Sequence, residues 1–348
     1  MPGRRPTREL RIGDVAVGGD APVVVQSMTK TDTRNVPATI SQIRQLEERD
    51  CQIVRVAVPD AEAAEAISGI KRGIGIPLVA DVHFDYRLAL VSLKAGADGL
   101  RLNPGNIADP HHVAEVVKAA KSRQVPIRIG VNAGSLPRPT TPQAPLPERM
   151  VEAAMQHIRL LEDLDFDLIK VSLKAFDVPT TVLAYELMAE KTSYPLHLGI
   201  TEAGLPKAGL VRSAVGIGIL LYHGVGDTIR VSLTAPPQEE VDAAYHILES
   251  LDLVRRGPVL VSCPTCGRCE VDLIRLAQAV EARLASMTKP IKVAVMGCVV
   301  NGPGEARDAD LGLACGQGRG AIFRRGEVVR TVEEADFLEA LMQEVERL

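Results

Sequence analysis

The 348-residue chain has no tryptophan, only five phenylalanines and only five tyrosines, too few ring faces to build a stacking platform for unpaired bases. It also lacks an excess of positive charge: 40 Lys and Arg stand against 44 Asp and Glu, a formal charge of −4. That excludes a broadly basic surface for nucleic acid or anionic membrane, so any anion site must be local. No apolar run approaches the ~18 residues of a membrane span. The opening MPGRRPTRELRIGDVAVGG carries charge with no apolar segment behind it, and the expectation is a cytoplasmic protein with neither leader nor anchor. Cysteine is sparse and uneven: of Cys51, Cys263, Cys266, Cys269, Cys298 and Cys315, all but the first lie in the last quarter. A secreted disulfide scaffold is short and cysteine-dense throughout, so a local metal or redox site fits better.

What the chain does have is a period. Between residues 23 and 253, eight short β-branched runs alternate with helical patterns: VVVQS (23–27), IVRVAV (53–58), PLVADV (77–82), GLRLN (99–103), IRIGVN (127–132), LIKVSL (168–173), PLHLGI (195–200) and TIRVSL (228–233). Apolar residues follow each at helical spacing, as in Val113, Val116, Val117 and Ala120. Eight strand-helix units over roughly 230 residues predict a (β/α)8 TIM barrel. An open doubly wound sheet is the alternative, but no Gly-rich dinucleotide fingerprint follows the first run. The period breaks near VRRGPV (254–259). We therefore expect an α/β barrel domain over 1–255 and a smaller α+β domain over 256–348. The pattern of the latter is a strand (258–262), a cysteine loop, a helix (about 270–286), a strand (291–296), a Gly-rich loop, a hairpin (311–331) and a helix from about 332.

Side chains alternate along a strand, so residues two apart share a face. In five runs one parity is apolar and the other polar: Arg55; Arg101 and Asn103; Arg128 and Asn132; Lys170, Ser172 and Lys174; Arg230, Ser232 and Thr234. The apolar parity should pack under helices and the polar parity point inward. Cations converging from five strands repel one another unless an anion joins them, which predicts a site for a strongly anionic small molecule such as a diphosphate. Asp81 and His83 after the third run, and Thr201 and Glu202 after the seventh, fall at the C-terminal strand ends where barrel active sites collect. His83 has a bland alternative as a structural histidine, and Glu202 as a charge balancing the arginines. His111 and His112 read as solvated, and His157, His197, His223 and His246 join no constellation.

Cys263-Pro-Thr-Cys266-Gly-Arg-Cys269 places three sulfurs in one loop, and Cys298 returns after a further strand. A zinc ribbon would want a second Cys-x-x-Cys, for which Cys315 is a distant substitute. A thioredoxin-type dithiol leaves Cys298 without a role, and a ferredoxin run would need cysteine and proline where Leu273 and Ile274 stand. The spacing implies an iron–sulfur cluster of atypical ligation, and by itself nominates Cys263, Cys266 and Cys269.

The string Met296-Gly297-Cys298-Val299-Val300-Asn301-Gly302-Pro303-Gly304-Glu305-Ala306, preceded by SCPTCGR, resembles the 4-hydroxy-3-methylbut-2-enyl diphosphate synthase family. These are iron–sulfur oxidoreductases of isoprene biosynthesis in the methylerythritol phosphate pathway. VQSMT, IVRVAV, ADVHF, RLNPGN, RIGVN, VSLKA, LGITEAG and GDTIRVSL match as well, so the resemblance covers essentially the whole chain. It implies a [4Fe-4S] cluster held by Cys263, Cys266 and Cys298, with Glu305 as a fourth, exchangeable ligand. Cys269 departs from the polar residue that family members carry there. The implied substrate is 2-C-methyl-D-erythritol 2,4-cyclodiphosphate. The implied grip is Arg55, Arg101, Arg128, Lys174 and Arg230, aided by Asn103, Asn132, Thr201 and Ser232, with His83 in the pocket, Glu202 as acid-base group and Asn301 from the cluster domain. Flavodoxin or ferredoxin would supply electrons. The resemblance further implies a homodimer in which one subunit's cluster domain covers the other's barrel, with no room for the inserted domain of plant-type relatives. The competing readings are a barrel lyase or aldolase on a phosphosugar with a structural zinc, and a nucleic-acid module with a zinc loop. The acidic balance and scarce aromatics argue against the second.

Overall fold

The computed structural model describes residues 3–83, 85–102, 107, 109–136, 144–298 and 309–348. They form two compact units, Met1–Leu253 and Val254–Leu348.

The first unit opens with an antiparallel hairpin, β1 (Leu10–Ile12) and β2 (Val15–Val17), turned at Gly13, whose φ of +58° suits glycine. There follow β3 (Val24–Met28), α1 (Val36–Glu47), β4 (Ile53–Val58), α2 (Ala61–Lys71), β5 (Leu78–Val82), α3 (Tyr86–Lys94), β6 (Gly99–Leu102) and α4 (Pro110–Ser122). Then come β7 (Ile127–Asn132), α5 (Leu146–Glu162), β8 (Ile169–Lys174), α6 (Val178–Lys191), β9 (His197–Leu198), α7 (Pro206–Tyr222), β10 (Thr228–Ile229) and α8 (Pro237–Ser250). The parallel sheet runs β8-β7-β6-β5-β4-β3-β10-β9, and the bridge Val171↔Leu196 joins its two edges. The eight-strand barrel is thereby closed as expected. Asp60, Asp85, Asp109 and Asp177 each cap the helix that follows a strand, accepting from the N–H of Ala63, Arg87, His111 and Thr180. These side chains satisfy otherwise orphaned first-turn donors and fix where each strand stops.

Three features depart from the sequence reading. The hairpin was not expected; its Leu10, Ile12 and Val17 pack on Val24, Ile53 and Val79 and plug the N-terminal end of the barrel. β9 and β10 are only two residues long. Pro195 brings no N–H, and Gly199 lies so close to the Arg230 carbonyl oxygen that a Cβ there would approach to 2.6 Å. Arg230 and Ser232 thus sit beyond the strand, and Thr234 is exposed instead of facing inward.

The second unit is a five-stranded sheet in the order β11 (Val259–Ser262), β12 (Lys292–Met296), β13 (Leu311–Cys315), β14 (Arg319–Arg324) and β15 (Glu327–Glu333). β11, β12 and β13 are parallel; β14 and β15 return antiparallel. The helices α9 (Leu273–Leu284) and α10 (Phe337–Glu346) share its core, joining Val280, Leu284, Leu341 and Val345 to Val293, Val295 and Leu313. The expected hairpin is a three-strand meander. β-Branched Thr331 and Val332 carry the last strand through Glu333, and the final helix begins later than expected, at Phe337. No helix among the described residues is long and apolar enough to cross a membrane.

Candidate active site

The alternation predicted for the barrel strands is present. Val54, Val56, Leu100, Leu102, Ile127, Ile129, Val171 and Leu173 are buried in the core. On the opposite parity Arg55, Arg101, Arg128, Lys170 and Lys174 are buried too, none more than 9% exposed. Charge at this depth is costly unless paired, and the buried carboxylates of Asp81 and Glu240 lie against the inward cations. Asp81 lies 3.4 Å from Arg55 and 3.2 Å from Arg101, and 3.3 Å from the imidazole of His83, which is exposed at the rim. His83 Nε2 also lies 2.7 Å from Arg101. Glu240, on α8, lies 3.4 Å from Arg230 and 3.0 Å from Lys30, and accepts from the Leu233 N–H. The inward cations are therefore partly neutralised from within.

The remaining charge is strongly coupled. Burial alone would push the Asp81 carboxyl upward, but Arg55, the hydrogen bond with His83, and Arg101 hold it well below the usual carboxylate range. Burial pushes the Arg55 guanidinium down to about 10, opposed by Asp81 and reinforced by Arg230 and Arg101. Burial, then the neighbouring arginines, drives Lys174 and Lys170 far below their ordinary values. Arg128 donates to Ser172 Oγ at 2.6 Å through Nη1. Its Nε and Nη2, with Arg101 Nε and Arg230 Nε, are buried donors without a protein partner. Buried polar groups are normally satisfied; an anion with several oxygens would satisfy these.

Two glycines shape the grip. A Cβ on Gly130 would meet Arg101 Nε at 2.8 Å, and one on Gly199 would meet Lys174 Nζ at 2.8 Å. Both share the inward parity of their strands, so the missing side chain is the space a cation occupies. At the rim Thr201, Asn132 and Ser232 are half-buried, and Glu202 is exposed. Glu202 has a φ of +54°, an uncommon conformation for a residue with a Cβ, and Gly204 follows at +96°. Asn103, Asn301 and Glu305 lie outside the described residues.

Sequence reasoning missed Glu240, although it shares a helical stripe with Ala244 and Ile247, a cue that it points inward. It also dismissed His197, which is fully buried in the barrel with both ring nitrogens unpartnered. The parity of His197, Gly199 and Thr201 was the available signal. His112, read as solvated, stacks on Tyr86 with ring centroids 3.8 Å apart.

In the second unit, the register Ser262↔Val295 sets the ends of β11 and β12 side by side. Cys263 and Gly297-Cys298 therefore leave neighbouring strands, and the Gly297 N–H donates to Cys263 Sγ at 3.3 Å. A Cβ on Gly297 would fall 2.6 Å from Cys269 Sγ, so glycine is required where the cysteine loop crosses. Cys266 is exposed on a turn closed by the Cys269 N–H to its carbonyl, Cys263 is half-buried and Cys298 buried. Among the described residues no three ligating side chains already surround a common point. The donor set nonetheless fits a thiophilic centre: soft sulfurs from adjoining strand ends, one accepting an N–H bond of the kind that tunes iron–sulfur clusters. Cys51 is deeply buried and its thiol is pushed up to about 12 by desolvation, the behaviour of a packing residue.

Fold and site together define a class: a (β/α)8-barrel protein built to hold a multiply charged anion, joined to a thiol-bearing α+β unit. The GcpE TIM-barrel domain matches residues 7–245 and the GcpE protein C-terminal domain matches 259–347. The chain belongs to the GcpE family. It is 63% identical over 345 residues, 99% of each chain, to the 4-hydroxy-3-methylbut-2-en-1-yl diphosphate synthase (flavodoxin) of Dehalococcoides mccartyi strain CBDB1. It is 58% identical, over 98% of each chain, to the protein of the same name from Geobacter sulfurreducens. Among solved structures, Yersinia pestis dihydropteroate synthase superposes with a TM-score of 0.53 at 12% identity, covering 70% of this chain and 98% of that one. That likeness speaks for the barrel alone.

Proposed function

We infer that this protein is an iron–sulfur oxidoreductase of isoprene biosynthesis, a flavodoxin-dependent 4-hydroxy-3-methylbut-2-enyl diphosphate synthase of the methylerythritol phosphate pathway. It opens the ring of 2-C-methyl-D-erythritol 2,4-cyclodiphosphate reductively, taking up two electrons and releasing one oxygen as water. The observation that carries this reading is the cation-lined interior, with orphaned guanidinium donors on Arg101, Arg128 and Arg230.

Arg55, Arg101, Arg128, Lys174 and Arg230 grip the two phosphates, with Asn103, Asn132, Thr201 and Ser232 completing the contacts. Because Asp81 and Glu240 hold several of these cations in advance, little conformational freedom remains to be lost when substrate arrives, and the same cations stabilise charge as the ring phosphate leaves carbon. His83, within hydrogen-bond distance of Arg101 and Asp81, presents an imidazole edge to the mouth. Glu202, exposed at the rim, delivers the proton that the departing hydroxyl needs. Cys263, Cys266 and Cys298, with Glu305 and with Asn301 alongside, would hold the [4Fe-4S] cluster. When bound, the cluster would supply single electrons and a Lewis-acidic iron, with Glu305, a harder and weaker ligand than thiolate, as its exchangeable holder. Ligand thiols must stay reduced to hold a cluster, which supports a cytoplasmic location.

The working unit is a homodimer in which each cluster domain serves its partner's barrel. Its support is an unpartnered apolar stripe on α7, where Leu210, Val211, Val215, Ile219 and Tyr222 are exposed, a pattern that single soluble chains avoid. Ala214 and Gly218 form a groove beside it with α8, into which a second copy can press. Sedimentation of a fully active monomer would contradict the dimer.

The test of the activity is anaerobic purification, iron and sulfide analysis, and turnover with reduced flavodoxin. Brown protein that bleaches on reduction and opens the cyclodiphosphate is expected. Protein without iron and sulfide, or with no turnover, overturns the assignment. Glu305→Ala should keep a cluster and lose most turnover, and Arg101→Ala should lose substrate binding.

A further inference from the structure

Glu202 is held in place through its backbone. Its carboxylate has no hydrogen-bond or ion-pair partner among the described residues, and its φ of +54° is one that a residue with a Cβ keeps only where its surroundings impose it. The helix that follows does not supply the usual anchor. α2, α3, α4 and α6 each begin on an aspartate that fixes the end of the preceding loop, whereas the cap position of α7 is Leu205, which has no side chain to accept a first-turn N–H.

Arg212, in the second turn of α7, reaches back instead. Its Nη1 donates to the carbonyl of Ala203, the residue after Glu202, and its guanidinium lies over the ring of Phe176, 4.3 Å from the centroid. At 51% exposed, that ring gains little from burial, and the contact is of the cation–π kind. Phe176 is itself fixed, two residues after Lys174 at the end of β8 and directly before Asp177, the cap of α6. Arg212 thus ties the loop bearing Glu202 to the strand end bearing Lys174. Two further ties flank Glu202: the Thr201 N–H donates to the Ala175 carbonyl at 3.2 Å, and the Thr234 N–H to the Gly204 carbonyl at 3.0 Å. Both are backbone to backbone; among the described residues, the side-chain tie is that of Arg212.

We propose, resting on Glu202 as the proton donor, that Arg212 is a positioning residue for it. By gripping the Ala203 carbonyl and the Phe176 ring together, Arg212 fixes the left-handed conformation at Glu202 and holds the carboxyl at one place on the barrel rim. Since no ion pair joins the two side chains, the influence runs through the backbone.

Steady-state turnover of the holoenzyme at saturating reduced flavodoxin tests this. Arg212→Met should lower kcat about tenfold or more while KM for the cyclodiphosphate stays within about twofold, since displacing a reacting group by about 1 Å can cost about 100-fold. Arg212→Lys, which keeps a donor and a charge, should recover most of the loss. In a Glu202→Gln background, Arg212→Met should lower the residual rate no further, because no acid is left to place; general damage to the fold would add to the loss. If Arg212→Met does not fold, Phe176→Leu, which removes the ring under the guanidinium, takes its place with a fall in kcat of about threefold or more. Glu202→Gln as fast as the parent overturns the acid role and the positioning role with it. A slow Glu202→Gln beside an Arg212→Met as fast as the parent, or losses that multiply in the double variant, overturns the positioning role alone.

Discussion

Asp81→Asn removes one negative charge and almost no volume, and it isolates what holds the barrel's cations together. Asp81 is buried, 3.4 Å from Arg55 and 3.2 Å from Arg101. At an effective dielectric of about 20, each contact is worth about 5 kcal/mol before the cost of desolvation is subtracted. Breaking a buried pair by removing one partner costs about 3–5 kcal/mol, because a charge is left uncompensated. For a barrel of this size the variant should therefore melt roughly 10 °C lower. Neighbouring cations hold the Asp81 carboxyl well below the usual range, so its contribution is fully present above the unfolded value of about 3.9 and is lost progressively as pH falls from there through the lower folded value. The deficit should accordingly be the same at pH 8 and pH 5. Inorganic diphosphate restores negative charge to the site, and should raise the melting temperature of Asp81→Asn more than that of the parent. Melting curves by far-ultraviolet circular dichroism, with and without diphosphate, measure both quantities. A variant as stable as the parent, or one that gains no more from diphosphate, refutes the view that the carboxylate neutralises these cations.

Gly199→Ala brings a methyl to 2.6 Å from the Arg230 carbonyl and 2.8 Å from Lys174 Nζ; we expect at least tenfold weaker cyclodiphosphate binding by calorimetry, and unchanged binding would refute the cradle. Glu240→Ala strips Lys30, Arg230 and the Leu233 N–H of their shared partner, and should cost about 3 kcal/mol in urea unfolding and raise KM more than it lowers kcat. His157 is buried, and desolvation lowers its value to about 4. Its neutral form therefore supports the fold fully above the unfolded value of about 6.5, and about 2–3 kcal/mol should be lost as pH falls to 4.5. His157→Leu should flatten that dependence; an equal loss in the variant would place its origin elsewhere.

Much of this architecture was legible because two periods, 2.0 and 3.6, alternate without interruption from residue 23 to the end of α8. Parity alone assigned Arg55, Arg101, Arg128 and Lys174 to the interior, since a strand has only two faces. Parity does not say which partner a buried charge takes. Asp81 was read as a rim residue and Glu240 not at all, because the contacts that define them come from strands and helices far apart in sequence. The plug hairpin is six strand residues around a two-residue turn, too short for periodicity to register. The shortened β9 and β10 follow from a backbone approach at Gly199 that no local pattern encodes. In the second unit, cysteine spacing located the thiol loop, while the adjacency of Cys263 and Cys298 depends on β11 and β12 being neighbours, a matter of topology.

The seam of the barrel lies between β3 and β10, where Val24 pairs with Thr228, and Arg4 reaches Asp227 across a sequence separation of 223 residues. During synthesis the first strand of the ring must wait for the last, with an open edge available to any passing strand. Ring closure of this kind is slow, since a long loop is ordered before the contacts that reward it form. Newly made chains should therefore depend on chaperones until β10 has emerged from the ribosome and paired with β3.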